Sequence, residues 1–209
     1  MAKAISRREF LVMALGAISL LRGRRKAMAR GSSLQVLPRG FPRERIKDMD
    51  PATIDNRELE IDPIESFGVM GTVMEVDPEG YRLRVEGLVE RPLEFTFEEV
   101  LELPQVERTV LLICPGYFAY NARWQGLDLW RLLKRAGIRP EARRVAIHGA
   151  DHFVHRFGLE EVRRARMLLA HKVNGLQLPV KHGRPLRLVA EGIYGDRWVK
   201  YVVAVEAMR

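Results

Sequence analysis

The chain has 209 residues, 47% hydrophobic and 30% charged, enough for one domain with a sizeable core; disorder and collagen-like or mucin-like repeats are excluded. Its 35 Lys+Arg against 27 Asp+Glu give a formal net charge of +8, but residues 1–29 hold seven basic residues and one acidic one, leaving 28 against 26 elsewhere. No later segment concentrates Lys and Arg with interleaved aromatics, which argues against nucleic acid as a partner.

The first segment reads as an address. Ser6-Arg7-Arg8-Glu9-Phe10-Leu11 precedes the apolar run Val12 to Leu21, and Ala27-Met28-Ala29 supplies an A-x-A cleavage site. The run is about half of the roughly 20 residues that a membrane-crossing helix needs. Paired arginines before Phe-Leu resemble a twin-arginine export signal, so residues 1–29 are expected to be a signal peptide read by the twin-arginine machinery, with a periplasmic or otherwise exported product. Such export carries proteins already folded, commonly because a cofactor is inserted first. Cys114 is the single cysteine, so no internal disulfide can form.

Residues 30–80 are expected to be an extended arm, since Pro38, Pro42, Pro51 and Pro63 interrupt a stretch with little apolar periodicity. Residues 81–209 form the expected domain. Tyr81, Leu83 and Val85 alternate with charged residues and predict a half-buried strand ending at Gly87. Thr96-Phe97-Glu98-Glu99 predicts a capping box on a short helix stopped at Pro104. Val110 to Cys114 is a continuous apolar run and predicts a buried strand that delivers the thiol to the turn Pro115-Gly116. Leu129, Leu132, Leu133 and Ala136 predict a helix closed by Gly137, and further strands are expected at Val145 to His148, Leu168 to Val173, Leu186 to Ala190 and Val199 to Val205. Helices are few and do not alternate with strands, so the fold class expected is α+β with a mixed sheet. There is no G-x-G-x-x-G after a strand and no phosphate-binding P-loop.

Three stretches carry chemistry. In the first, Cys114 offers a soft sulfur ligand and Arg123, nine residues on, could hold an anion, followed by Trp124-Gln125-Gly126. The second, Asn174 to Arg187, contains Gly175, Pro179, Gly183 and Pro185, whose turns free backbone NH groups, His182 and Arg187 to converge on a ligand. The third, Gly192 to Lys200, has two glycines for close backbone approach and offers Arg197 and Lys200.

In this order and spacing, the cysteine with its W-x-G, the N-G-x-x-L-P-x-x-H-G-x-P-L-R stretch and the Y-G-x-x-x-V-K stretch resemble the molybdopterin-binding domain of the sulfite oxidase family, from about Tyr81 to Met208. The resemblance is to its small exported bacterial members, such as methionine sulfoxide reductase catalytic subunits. It implies a molybdenum-molybdopterin cofactor with Cys114 as the metal's thiolate ligand. It also implies cofactor contacts from Gly149, His182, Arg187, Trp198, Val199 and Lys200, the last three on the final cofactor-binding strand. The implied activity is two-electron oxygen-atom transfer at a small-molecule sulfur substrate, by sulfite oxidation or sulfoxide reduction. Electrons would pass to a separate electron-transfer protein, a c-type cytochrome or a membrane haem subunit, because no C-x-x-C-H haem motif is present.

The chain departs from the family pattern in three places. Phe67-Gly68-Val69-Met70-Gly71 offers no Asn or His where members usually present one, Pro115 follows the cysteine, and Glu191 stands where Pro usually precedes the Gly-Tyr-Gly turn. The rival reading is a non-catalytic exported binding or assembly protein that keeps the fold. A second metal site from His148, Asp151, His152 and His155 is disfavoured, because on a strand His152 and His155 would face opposite sides. A Cys-His hydrolase is weaker still, since no nucleophile turn-to-helix context follows Cys114.

Overall fold

The computed structural model describes residues 34–209; the expected signal peptide lies outside the described residues. Before Tyr81 the proline-interrupted chain forms little regular structure: β1 (Gln35–Val36) and β2 (Ile54–Asp55) pair in parallel, and α1 (Arg43–Ile46) is one turn long. Next come β3 (Leu83–Gly87), β4 (Leu93–Phe95) and α2 (Phe97–Glu102). The last opens with the expected capping box, in which the Thr96 hydroxyl accepts from the Glu99 amide and the Glu99 carboxylate accepts from the Thr96 amide.

The long hairpin of β5 (Gln105–Cys114) and β6 (Phe118–Asp128) pairs antiparallel from Gln105↔Leu127 to Cys114↔Phe118. It is followed by α3 (Leu129–Ala136), β7 (Arg144–Gly149), β8 (Val154–Gly158), α4 (Leu159–Arg164), β9 (Leu168–Val173), β10 (Leu176–Gln177), β11 (Arg187–Val189) and β12 (Val202–Met208). One antiparallel sheet runs β10-β9-β6-β5, with β11 also on β9. The second runs β4-β3-β12-β7-β8 and is mixed, because β12 lies parallel to β3 and antiparallel to β7. The α+β architecture with few, short helices is therefore as expected.

The run Val110 to Cys114 is apolar at every position because β5 is covered on both faces. Val110, Leu112 and Cys114 point into the main core with Tyr120, Ala122 and Trp124 of β6. Leu111 and Ile113 point the other way and pack with Leu37, Ile46, Ile54 and Leu59 from the arm. The arm is thus the back wall of the strand that carries the thiol, and it also holds the turn after that strand through a Gly116 amide bond to the Lys47 carbonyl at 3.1 Å. Asp62 pins it to β6, accepting from the Asn121 amide at 2.7 Å and from Arg43.

Four elements differ from the sequence expectation. β6 was not anticipated as a strand; its signal is the period-two series Phe118, Tyr120, Ala122, Trp124, masked by Asn121, Arg123 and Gln125. Gly126 is required there, because a side chain would lie 1.9 Å from the Leu169 carbonyl where β6 crosses β9 at a bulge. β8 and α4 were not anticipated. The final strand begins at Val202 rather than Val199, since Tyr201 takes a left-handed φ of 54° and breaks the extended run, so Trp198, Val199 and Lys200 sit in the turn that precedes it.

Asp128 joins two levels of this structure. It caps α3 by accepting from the Arg131 amide at 2.9 Å and meets Arg108 of β5 at 2.6 Å. Burial opposes its carboxylate charge, but the Arg108 and Arg131 bonds outweigh burial and hold it below its ordinary value of 3.8. Its contribution is present above that ordinary value and is lost as pH falls through the lower folded one. Asp128→Ala is expected to destabilise the chain by about 2 kcal/mol in urea unfolding at neutral pH, and Asp128→Asn, which keeps the cap, by about half as much.

Candidate functional site

Cys114, at the end of β5, opens onto a cavity of about 610 Å³, a volume suited to a large organic ligand. One wall is the segment Gly68 to Thr72, which presents backbone rather than polar side chains apart from Thr72. Phe67 anchors that segment by stacking on Tyr120, with ring centroids 3.9 Å apart. Gly68 must be glycine, because an added Cβ would fall 2.1 Å from the Phe118 ring. Lys181, His182 and Arg187 also line the cavity, as do Gly195, Asp196, Trp198 and Lys200 of the later turn.

Arg187 is the dominant charge, though it is only 5% exposed. Its guanidinium packs against two indoles that meet edge to face, 5.3 Å from the Trp124 ring centroid and 5.6 Å from that of Trp198. Each indole is fixed by its own NH, Trp124 donating to the Val110 carbonyl and Trp198 to the Ile193 carbonyl. Nη1 of Arg187 donates to the His182 carbonyl at 3.2 Å, while its Nε and the Nε2 of His182 are buried without any hydrogen-bond partner among the described residues. A buried polar atom with no partner is costly, so these two atoms point to a missing ligand group.

The surrounding charges tune one another. Burial, reinforced by Arg187, Lys181 and Lys200, lowers the His182 imidazole to about 4 and keeps it neutral at physiological pH. Lys200 is lowered too, by burial and then by Arg187, while its ammonium donates to the Thr72 carbonyl. Burial raises the Cys114 thiol and the Asp196 carboxylate raises it further. The Tyr120 phenol is raised by burial, with Arg187 opposing.

Of the residues singled out from sequence, Cys114, His182, Arg187, Trp198 and Lys200 line this one cavity. Gly149 and Val199 are buried immediately behind it: a side chain at Gly149 would meet the Lys200 carbonyl at 2.7 Å and Val199 at 3.2 Å, so that glycine lets the Lys200 turn lie flat against β7. Arg123 is not brought to the cavity. It sits on the exposed side of β6, opposite Thr109 and far along the strand from the Cys114–Phe118 pair, with its backbone bonded to Asn174. The histidines do not meet either: His148 faces Glu206 at 3.0 Å, His155 accepts from Arg197 at 2.9 Å, and His152 lines the cavity at a φ of 66°.

The reading from sequence did not single out Tyr120, Thr72 or Asp196, and it weighed Asp151 only for a second metal site and Gly68 to Gly71 only for the side chains they lack. Tyr120 was legible from its spacing to Trp124; the others become neighbours of Cys114 only through the fold.

The donor set fits an anionic pterin with a thiolate-bound metal: one thiol, two unpartnered buried nitrogen atoms, two further ammonium groups and a backbone cradle around a roomy cavity. Comparisons with known proteins agree. A family model described as the oxidoreductase molybdopterin binding domain matches residues 70–209. The uncharacterized oxidoreductase YuiH of Bacillus subtilis is 29% identical over 127 residues, which cover 60% of this chain and 64% of YuiH. The putative protein-methionine-sulfoxide reductase subunit YedZ1 of Azospira oryzae is 27% identical over 143 residues, 68% of this chain and 55% of that protein. The NADPH nitrate reductase of Aspergillus niger is 27% identical over 174 residues, 69% of this chain and 20% of the reductase. Among solved structures, the sulfane dehydrogenase SoxCD of Paracoccus pantotrophus superposes with a TM-score of 0.60 at 32% identity, covering 65% of this chain and 40% of that one. The chain therefore spans less than two thirds of each of these proteins, and it belongs to the oxidoreductase molybdopterin binding domain family, with the fold of the sulfite oxidase type.

Proposed function

We propose that this protein is an exported molybdenum-pterin oxidoreductase that moves an oxygen atom to or from a sulfur substrate and exchanges electrons with a separate cytochrome or membrane haem subunit. The observation that carries the reading is the pair of buried, unpartnered atoms His182 Nε2 and Arg187 Nε beside the sole cysteine in one cavity. The sulfur substrate is favoured by two relatives named as a protein-methionine-sulfoxide reductase subunit and a sulfane dehydrogenase. Export is favoured by Arg7-Arg8 and the apolar run after them.

When bound, the molybdenum-pterin group supplies the two-electron chemistry, and the protein supplies orientation and electrostatics. Cys114 would hold the metal as its thiolate, and a bound cation would offset the burial that disfavours that thiolate in the free protein. Arg187, packed against Trp124 and Trp198, would offer its Nε to the pterin. His182, being neutral, would offer a hydrogen bond without adding to the charges of Lys181, Arg187 and Lys200. Lys200, which donates to the Thr72 carbonyl, would meet the phosphate.

Native-exported protein is expected to contain about one molybdenum per chain with releasable pterin. Cys114→Ser is expected to lose turnover with sulfite or a sulfoxide while keeping its circular dichroism spectrum. Protein correctly exported but free of molybdenum and pterin would instead favour the non-catalytic binding reading. Arg187→Gln is expected to weaken cofactor retention about 10- to 100-fold in exchange experiments, the range for one charged hydrogen bond.

A pH prediction follows from His182. Its unfolded imidazole takes up a proton near 6.5 and its folded one only near 4, so cofactor-free protein loses stability as pH falls through that window. His182→Gln is expected to reduce that slope in thermal unfolding, and NMR of the wild type is expected to place the His182 midpoint near 4.

A further inference from the structure

Two acidic residues line the cavity, and they stand in different places. Asp151 accepts from the Phe153 amide at 3.2 Å and lies beside Lys200, whose charge it supports. Asp196 lies on the Cys114 side. Its neighbour Gly195 is pressed against the end of β5, where an added Cβ would be 2.8 Å from Leu112 and 3.3 Å from the Ile113 carbonyl. The turn Gly195–Arg197 is thus stacked on the residues that lead directly into Cys114.

That turn is held from behind. Arg197 donates to His155 at 2.9 Å and to Glu161 at 2.8 Å, and its guanidinium rests 5.0 Å from the Phe157 ring centroid. Arg197 is therefore committed elsewhere, and Asp196 forms no ion pair among the described residues. Two of the cavity's cations are engaged within the protein, Arg187 packed against two indoles and Lys200 donating to Thr72, while Lys181 lines the same cavity. Cys114 shares the lining with Leu112, Pro115, Tyr117, Phe118 and Tyr120, none of which carries a compensating charge, and Asp196 lines the same cavity while staying exposed, so its field reaches the thiol through solvent and depends on salt.

We propose that Asp196 is a charge selector for the reacting centre: its carboxylate disfavours oxyanions approaching Cys114 and favours substrates that are neutral or cationic there. The selector role rests on the reading that Cys114 marks the reacting centre. It separates two substrate classes left together above, because sulfite arrives as an anion and a sulfoxide group carries no net charge. Specificity of this kind comes from a repulsive element against the wrong ligand, not from a tighter fit to the right one.

The test uses the full chain without cofactor, in which Cys114 is the single thiol. Modification rates are measured with a cationic (ethyltrimethylammonium) and an anionic (ethylsulfonate) methanethiosulfonate of similar size. Both form a mixed disulfide with Cys114 and release methanesulfinate, so their ratio cancels the thiolate fraction and reports the local field. Asp196→Asn is expected to lower the cation-to-anion ratio roughly tenfold at low salt, an effect that shrinks at high salt. Asp151→Asn is expected to change it less. An unchanged ratio in Asp196→Asn, or a larger change in Asp151→Asn, would overturn the proposal whether or not the protein carries molybdenum. On the loaded enzyme the same Asp196→Asn change is expected to raise kcat/KM for sulfite relative to dimethyl sulfoxide, and no change in that quotient would also overturn it.

Discussion

Moving a guanidinium out of water costs several kcal/mol unless an opposite charge or a full set of acceptors goes with it. Arg187 is almost fully buried, its Nη1 donates to the His182 carbonyl, and it forms no ion pair among the described residues. Two indole rings recover part of that cost, and they do so because β6 and the Gly195 to Trp198 turn bring Trp124 and Trp198 together edge to face beside the guanidinium. What remains unmet, at Arg187 Nε and His182 Nε2, is a demand for an anionic or acceptor-rich partner. The rest of the cavity is consistent with that demand: a second ammonium at Lys200, a neutral imidazole, and walls of backbone and glycine where side chains would intrude.

The arm is the second requirement. A run apolar at every position, as Val110 to Cys114 of β5 is, must be covered on both faces, and here the second cover comes from Leu37, Ile46, Ile54 and Leu59. Without it Leu111 and Ile113 would face water, and the strand end that aims Cys114 would lose its backing. The same segment continues through Phe67, stacked on Tyr120, into the wall Gly68 to Thr72. Sequence that looks like a connector therefore serves both core and site, and it does so with backbone groups that no side-chain motif reveals. The missing polar side chains at Phe67 to Gly71 are matched by a wall that works through shape and through the Thr72 carbonyl.

Local patterns were legible where the physics is local. The capping box at Thr96, the αL closure at Gly137 and the run ending at Cys114 each depend on a few neighbouring residues and read directly from sequence. The site was legible in its donors, since Cys114, His182, Arg187, Trp198 and Lys200 share one cavity. It was not legible where sequence distance misleads. Arg123 is close to Cys114 along the chain, but the hairpin reverses direction at Phe118 and carries it down β6 to the surface. Asp196 is far along the chain, yet its neighbour Gly195 packs on the strand end and Asp196 lines the same cavity as Cys114. Tyr201 at positive φ likewise moved the start of the last strand, a backbone choice that apolar alternation does not encode.

On the proposed reading, a molybdenum ion bound in this cavity would count the Cys114 sulfur among its neighbours. Molybdenum K-edge X-ray absorption of the purified protein and of Cys114→Ser compares the sulfur shells. One sulfur neighbour fewer in the variant, with the dithiolene sulfurs retained, is the expected result. Identical sulfur shells in the two proteins would contradict a thiolate-bound centre at Cys114.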